Sequence, residues 1–172
     1  PALGRVNAES VNVNGTPVTN LGSLAFSAYY EPGSTMKGLS ASMLIDSGTA
    51  TPTSRATVPS RWTTPEGGTI RDATNHGTER LTLTGVLQQS SNVGISMLGI
   101  HVPPKTRFEY MTKFGLGKAS AVDFQGESSR GIPALQNWDD QRKYDMLYGQ
   151  GVAVTAVQLA GAYQAIANGG VR

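Results

Sequence analysis

The sequence predicts a helix-rich chain with few strands, and three observations carry that reading. Met36, Leu39, Met43 and Leu44 recur at helical spacing directly after a Pro-Gly breaker. Thr155-Ala156-Val157-Gln158 is a capping box ahead of an apolar stretch. Against these, the only clear strand-like alternation is Val11-Asn12-Val13. At 172 residues the chain has about one domain's worth of length.

In chain order, residues 1–29 read as an irregular or strand-like lead-in, with Asn14-Gly15 as a turn. Glu31-Pro32-Gly33 breaks the chain, because Pro32 biases Glu31 toward extended geometry and Gly33 frees the backbone. A helix is expected from Ser34, with Gly48 as its stop. Residues 48–80, rich in Thr, Ser, Pro, Gly and Arg, read as a long connection holding at most short strands. Two short helices fit Leu81 to Gly99, with a break near Ser90-Ser91-Asn92. Thr106-Arg107-Phe108-Glu109 is a second capping-box pattern, with Phe108 and Met111 as its apolar face and Gly115 as its end. Residues 115–154 read mostly as loop, with Gly149-Gln150-Gly151 as a tight element. The helix after Thr155 is expected to bury Leu159, Ala162, Tyr163 and Ile166 and to close at Asn168-Gly169-Gly170.

Composition excludes several functions. Charged residues are 15% of the chain, too few for a coiled coil or a solvated tail. The net charge is +2, and Arg55, Arg61, Arg71, Arg80, Lys105, Arg107, Lys113 and Lys118 are dispersed. They form no phosphate-tracking stripe, so no nucleic-acid partner is expected. There is no cysteine, which removes disulfides and thiolate catalysis. His76 and His101 lack metal-ligand spacing and read as surface or loop residues, so no metal or cofactor is expected.

Ser34-Thr35-Met36-Lys37 places a hydroxyl and an amine three residues apart, on one face of the expected helix. A serine is a poor nucleophile without an adjacent base. A lysine becomes that base when burial and positive potential lower its pKa, and a helix N-terminus supplies such potential. The same N–H groups can face an oxyanion. One helical turn thus offers nucleophile, base and part of an oxyanion hole.

The surrounding residues extend this pattern. Tyr30-Glu31-Pro32-Gly33-Ser34-Thr35-Met36-Lys37 resembles the active-serine motif of the penicillin-binding proteins. Ser90-Ser91-Asn92-Val93-Gly94 is similar to that family's S-x-N element. Phe114-Gly115-Leu116-Gly117 with Gly126-Glu127-Ser128, and Tyr148-Gly149-Gln150-Gly151 with the following helix, resemble its later segments in class B, monofunctional members. These matches run in family order over residues 30–170. The resemblance implies an α+β fold, a three-layer penicillin-recognising architecture like that of DD-peptidases and β-lactamases. This chain would supply mainly its helical part. It implies a peptidoglycan D,D-transpeptidase: Ser34 as nucleophile, Lys37 as base, Ser90 as proton relay, and Asn92 binding the substrate amide and helping hold Lys37. Implied partners are stem peptides ending in D-Ala-D-Ala, β-lactam antibiotics, a lipid-linked glycan polymerase and division proteins. The implied location is extracytoplasmic, in a membrane-anchored parent. Leu87 to Ile95 looks more like division-type than elongation-type members.

Two departures accompany the resemblance. None of Lys37, Lys105, Lys113, Lys118 and Lys143 is followed by Thr-Gly, so the family's third element, K-T-G, is not found. The expectation is therefore that residues 1–172 are a partial transpeptidase domain, with 1–29 as lead-in and 30–172 as the active-serine and helical part. A missing C-terminal segment would complete it, and the piece alone would be nearly inactive. Its apolar face would be left uncovered. The chain also reads Ser23-Leu24-Ala25 where family members have Asn-Arg-Ala. Two rival functions remain: a β-lactam-hydrolysing or β-lactam-sensing protein of the same fold, and a non-catalytic scaffold. Among Glu66, Glu79, Glu109 and Glu127, none matches a deacylating glutamate.

Overall fold

The structure is a computed structural model describing residues 10–13, 16–19, 23–122, 124, 126–129 and 131–171. The expected Asn14-Gly15 turn lies outside them. The chain runs through β1 (Ser10–Val13), β2 (Thr16–Thr19), α1 (Leu24–Ser27) and a 3₁₀ turn at Gly33–Thr35 that continues into α2 (Met36–Asp46). Then follow β3 (Arg55–Val58), β4 (Arg61–Thr63), β5 (Thr69–Arg71), β6 (Glu79–Thr82), α3 (Leu83–Gln88), α4 (Asn92–Gly99) and α5 (Pro104–Lys113). α6 (Arg142–Asp145) and α7 (Ala156–Ala167) complete the order. Among the described residues helix exceeds strand, and the strands form three two-stranded antiparallel ribbons: β1–β2, β3–β6 and β4–β5.

α2 is the spine. Met36, Lys37, Leu39, Ser40, Ala41, Met43 and Leu44 are all buried, so the helix is covered nearly all round. A helix of that kind sits inside a fold rather than on its surface. It feeds two cores. Ala41, Met43 and Leu44 pack with Val58, Ile70, Val86, Val93, Ile95 and Leu147. Met36 and Leu39 pack with Met111, Leu116, Val154, Leu159 and Ala162. The first turn of α2 is thereby fixed from both sides.

The 48–80 connection proves to be ordered. β4 and β5 pair as a hairpin with Trp62 opposite Ile70, nested between β3 and β6, which pair with Arg55 opposite Thr82. Each strand is only three or four residues long, so its period-2 pattern is too short to read in the sequence. Leu81 belongs to β6, and α3 begins two residues later, capped by the Thr82 hydroxyl accepting from Gly85 N.

Two sequence expectations are corrected here. Thr106 does not cap a helix, because α5 starts at Pro104 with Pro103 as its N-cap residue and no capping side chain. Proline at the first helical position presets the backbone and lacks the orphan N–H, so the start falls before Thr106. The buried stripe of α7 is also displaced. Gln158, Leu159, Ala162 and Ala165 face inward, whereas Tyr163 is 40% and Ile166 38% exposed. The Thr155–Gln158 capping box forms as expected, but it turns the helix so that Gln158 points in, donating to Lys118 O and Ser128 O. Ile166 and Ile45 line an open groove of about 480 Å³ between α2, α5 and α7.

Arg107 on α5 is buried and donates from Nε to Val102 O and from its terminal nitrogens to Gly99 O and Lys143 O. Burial lowers its pKa to about 10, so it stays charged at neutral pH. Replacing Arg107 by Leu removes three charge-assisted hydrogen bonds to backbone carbonyls, each worth ~1.5–3 kcal/mol. Chemical denaturation is expected to show a loss of roughly 3 kcal/mol or more; an unchanged midpoint would contradict this account of the α4–α5–α6 junction.

Candidate active site

The first part of the site is the turn that opens α2. Pro32 fixes its own backbone, and Gly33 follows at φ +54°, a conformation open to glycine. Two distant segments grip this turn. Gly33 N–H donates to Gly149 O at 3.0 Å, and Tyr163 Oη donates to Thr35 O at 2.6 Å. Gly149 sits at φ +81°, and a Cβ there would lie 2.2 Å from Gly33 O. Glycine at 149 therefore permits a backbone-to-backbone approach that no side chain would allow. Tyr163, expected in the core, instead reaches the Ser34 turn from the surface of α7. This explains its partial exposure.

Lys37 and Ser34 then meet as the i, i+3 spacing requires. Lys37 Nζ lies 2.9 Å from Ser34 Oγ. Ser34 is exposed and Lys37 only 2% exposed, so the hydroxyl faces solvent over a buried amine. Burial lowers the Lys37 pKa to about 8, while the negative charge of Asp72 works against that shift.

The second part comes from the junction of α3 and α4. Ser91 N donates to Val86 O and Ser90 N to Leu87 O, the bonding pattern of a Schellman motif. Ser90 occupies its left-handed position at φ 55°, the sole non-glycine residue at positive φ among the described residues. Glycine is the usual occupant, and an L residue there costs ~1–2 kcal/mol. The strain holds a hydroxyl in place: Ser90 Oγ donates to Ser34 Oγ at 3.0 Å and lies 3.1 Å from Lys37 Nζ. Ser90 O accepts from Lys37 Nζ at 2.8 Å. Ser91, next in the chain, caps α4 by accepting from Gly94 N at 2.7 Å.

Ser34, Lys37 and Ser90 thus form a closed triangle of donors and acceptors. Ser90 O can only accept, so one Lys37 N–H is committed to it. The two hydroxyl contacts are reversible, and the neutral amine can take the Ser34 proton. Ser34 also stands at the start of a helical segment whose first N–H groups lack intrahelical acceptors. Asn92 lies at the same crevice, but its Nδ2 donates to Arg71 O at 3.0 Å and makes no bond to Lys37. The crevice measures about 290 Å³ and is lined by Ser34, Ser90, Asn92, Asp72, His76 and Glu79. Among the described residues no cluster of His, Asp and Glu could hold a metal ion.

The site residue the sequence hides is Asp72, which belongs to no local motif. Gly149 and Tyr163 stand out in the sequence, but their bonds to the Ser34 turn appear only in the folded chain. Of the four glutamates weighed as deacylating groups, Glu66 is tied to Lys143 and Tyr144, and Glu127 to Ser120. Glu79 alone of the four lines the crevice.

Comparison with known proteins extends this geometry. The family described as penicillin binding protein transpeptidase domain matches residues 2–172. Penicillin-binding protein PbpB of Mycobacterium tuberculosis is 40% identical over 153 residues, 88% of this chain and 22% of that protein. Peptidoglycan D,D-transpeptidase FtsI of Escherichia coli is 35% identical over 173 residues, 98% of this chain and 29% of that protein. The chain therefore spans between a fifth and a third of these relatives' length. The crystal structure of penicillin binding protein 3 from M. tuberculosis complexed with ampicillin superposes with a TM-score of 0.84 at 40% identity. That superposition covers 90% of this chain and 34% of the other.

The strain at Ser90 predicts an opposed pair of effects for Ser90→Gly. Thermal unfolding should show a protein no less stable than wild type, with a gain of up to about 1 kcal/mol. Acylation by a penicillin should nonetheless fall roughly 10²-fold or more, because the hydroxyl that bridges Ser34 and Lys37 is gone. A large loss of stability would contradict the strained assignment.

Proposed function

Because the chain belongs to the penicillin-binding protein transpeptidase family, we propose that it carries the acylating centre of a peptidoglycan D,D-transpeptidase. The observation that carries the reading is the Ser34–Lys37–Ser90 triangle, with the amine buried and the nucleophile exposed. Residues 30–172 would be the active-serine and helical part of a longer transpeptidase domain, with residues 1–29 leading into it.

The reaction follows from the donors and acceptors. Ser34 Oγ attacks the carbonyl carbon of the penultimate D-Ala, and its proton passes to neutral Lys37 Nζ. The D-Ala–D-Ala amide bond then breaks. Ser90 Oγ hands its proton to the departing amine nitrogen and is reprotonated by Lys37. The product is a Ser34 ester and free D-Ala. An amine from a neighbouring strand attacks that ester, its proton returns to Ser34 Oγ through Ser90 and Lys37, and a new amide cross-link forms. Proton transfer by placed groups of this kind contributes ~10²–10⁴ in rate. Asn92, anchored to the end of β5, lines the crevice where it can bind the substrate amide. A β-lactam acylates the same oxygen: its amide opens, the ring nitrogen takes the proton, and the ester persists.

The relatives' printed names support substrates drawn from peptidoglycan and binding of β-lactams. Action on stem peptides ending in D-Ala-D-Ala, a cell-division role, and association with a glycan polymerase and division proteins belong to this proposal. So does an extracytoplasmic location in a membrane-anchored parent. Among the described residues no helix is long and apolar enough to cross a membrane.

Two measurements on the full-length protein test the reading. Intact mass after incubation with benzylpenicillin should rise by one ligand mass and should not rise in Ser34→Ala. The acylation rate should climb with pH toward a plateau, with its midpoint near the Lys37 pKa of about 8, since only the neutral amine accepts the proton. An adduct that survives in Ser34→Ala, or a rate that falls as pH rises from 6 to 8, would overturn the assignment.

A further inference from the structure

Asp72 lies just past β5, 18 residues before Ser90, and belongs to no motif of the proposed reaction. Its side chain is nonetheless spent on the second half of the site. Oδ1 accepts from Val93 N at 2.9 Å, and Oδ2 accepts from Ser91 Oγ at 2.7 Å. One carboxylate therefore holds both the residue that follows Ser90 and the first turn of α4. The neighbouring residue acts in the same direction, since Arg71 O accepts from Asn92 Nδ2. The Ser90–Val93 segment is tied to residues 71–72 by three bonds, from the hydroxyl, the amide side chain and the backbone.

A fourth contact completes the arrangement. His76 Nε2 lies 3.0 Å from Asp72 Oδ2, and its Nδ1 lies 2.7 Å from Gly77 O. A carbonyl and a carboxylate both only accept, so both ring nitrogens must donate. The ring that satisfies both is the imidazolium. Its hydrogen bonds to Asp72 and Gly77 O, and the charge of Glu79 across the crevice, all favour the charged form and raise its pKa. The side chains of His76 and Asp72 are 20% and 7% exposed, so the pair sits at the crevice wall rather than in open solvent.

We propose that Asp72 and His76 are positioning residues of the acylation reaction: the imidazolium–carboxylate pair clamps the Ser90–Val93 segment against the Ser34–Lys37 turn. The pair also sets the field at the base. Asp72 is the charge that opposes the lowering of the Lys37 pKa, and His76, when charged, offsets Asp72. Removing the His76 charge leaves the carboxylate uncompensated, so Lys37 holds its proton more tightly. Removing the Asp72 charge does the reverse. The groups facing the pair are Glu79 from β6 toward His76 and Lys37 from α2 toward Asp72.

The inference rests on the transpeptidase reading, and one experiment separates the two. The acylation rate constant of the full-length protein with a fluorescent penicillin is measured from pH 5.5 to 9.5 for wild type, His76→Gln and Asp72→Asn. In His76→Gln the acid part of the rising limb, where wild type carries the imidazolium, should be displaced to higher pH, a rate ~3-fold below wild type at pH 6.5. In Asp72→Asn the limb should move to lower pH while the plateau falls, because the segment loses its anchor. Opposed shifts cannot come from a merely structural defect, which would scale the rate without moving the midpoint. Unmoved midpoints, or shifts in the same direction, overturn the inference. If Asp72→Asn does not fold, the displacement in His76→Gln decides alone. If wild type forms no Ser34 ester, the transpeptidase reading fails and this inference falls with it.

Discussion

A primary amine placed out of water is the constraint on which the rest depends. Lys37 is almost wholly buried, yet it touches the hydroxyl of Ser34, the proposed nucleophile. Burying an ammonium is costly unless its donors are satisfied or its proton is surrendered. Here both apply: three acceptors surround Nζ, and the depressed pKa makes the neutral base available near physiological pH. The double core around α2 is what keeps that amine from relaxing outward.

The remaining architecture serves that contact from several directions. Gly149 and Tyr163 hold the Ser34 turn from the far end of the chain, by backbone approach in one case and a phenol in the other. The α3–α4 junction brings Ser90 in through a strained left-handed turn, where a helix end would more comfortably have glycine. Strain of this type persists only where neighbouring bonds over-determine it. Lys37, Val86, Leu87 and Asp72 provide those bonds, directly or through Ser91.

What the sequence made legible was local. Pro32-Gly33 followed by apolar residues at helical spacing announced α2, and S-x-x-K placed two groups on one face. Ser90, Ser91 and Asn92 are residues that favour helix ends, and a helix break is where they fall. Thr155 and Gln158 formed their reciprocal cap for the same local reason. Thr106 and Glu109 misled because Pro103-Pro104 had already started the helix. Tyr163 misled because apolar size suggested the core, while its hydroxyl was needed at Thr35 O. The ribbons of residues 55–82 were hidden by strands too short to show a period. Asp72, Gly149 and the clamp at His76 were hidden more deeply, since their meaning exists only once segments far apart in sequence are folded together. From the sequence alone His76 reads as a surface or loop residue. It lies between β5 and β6, but the partners of its two ring nitrogens are invisible in the sequence.

If Lys37 is a weakened base held against Ser34, its own titration will show it. With lysine side chains isotopically labelled and Lys37 assigned by substitution, the Cε chemical shift can be followed by NMR against pH in the folded protein. The expected midpoint is near 8, well below the ordinary 10.5. A midpoint at the ordinary value would mean an amine that stays protonated under working conditions. It could not take the serine proton, and the proposed chemistry would have no base.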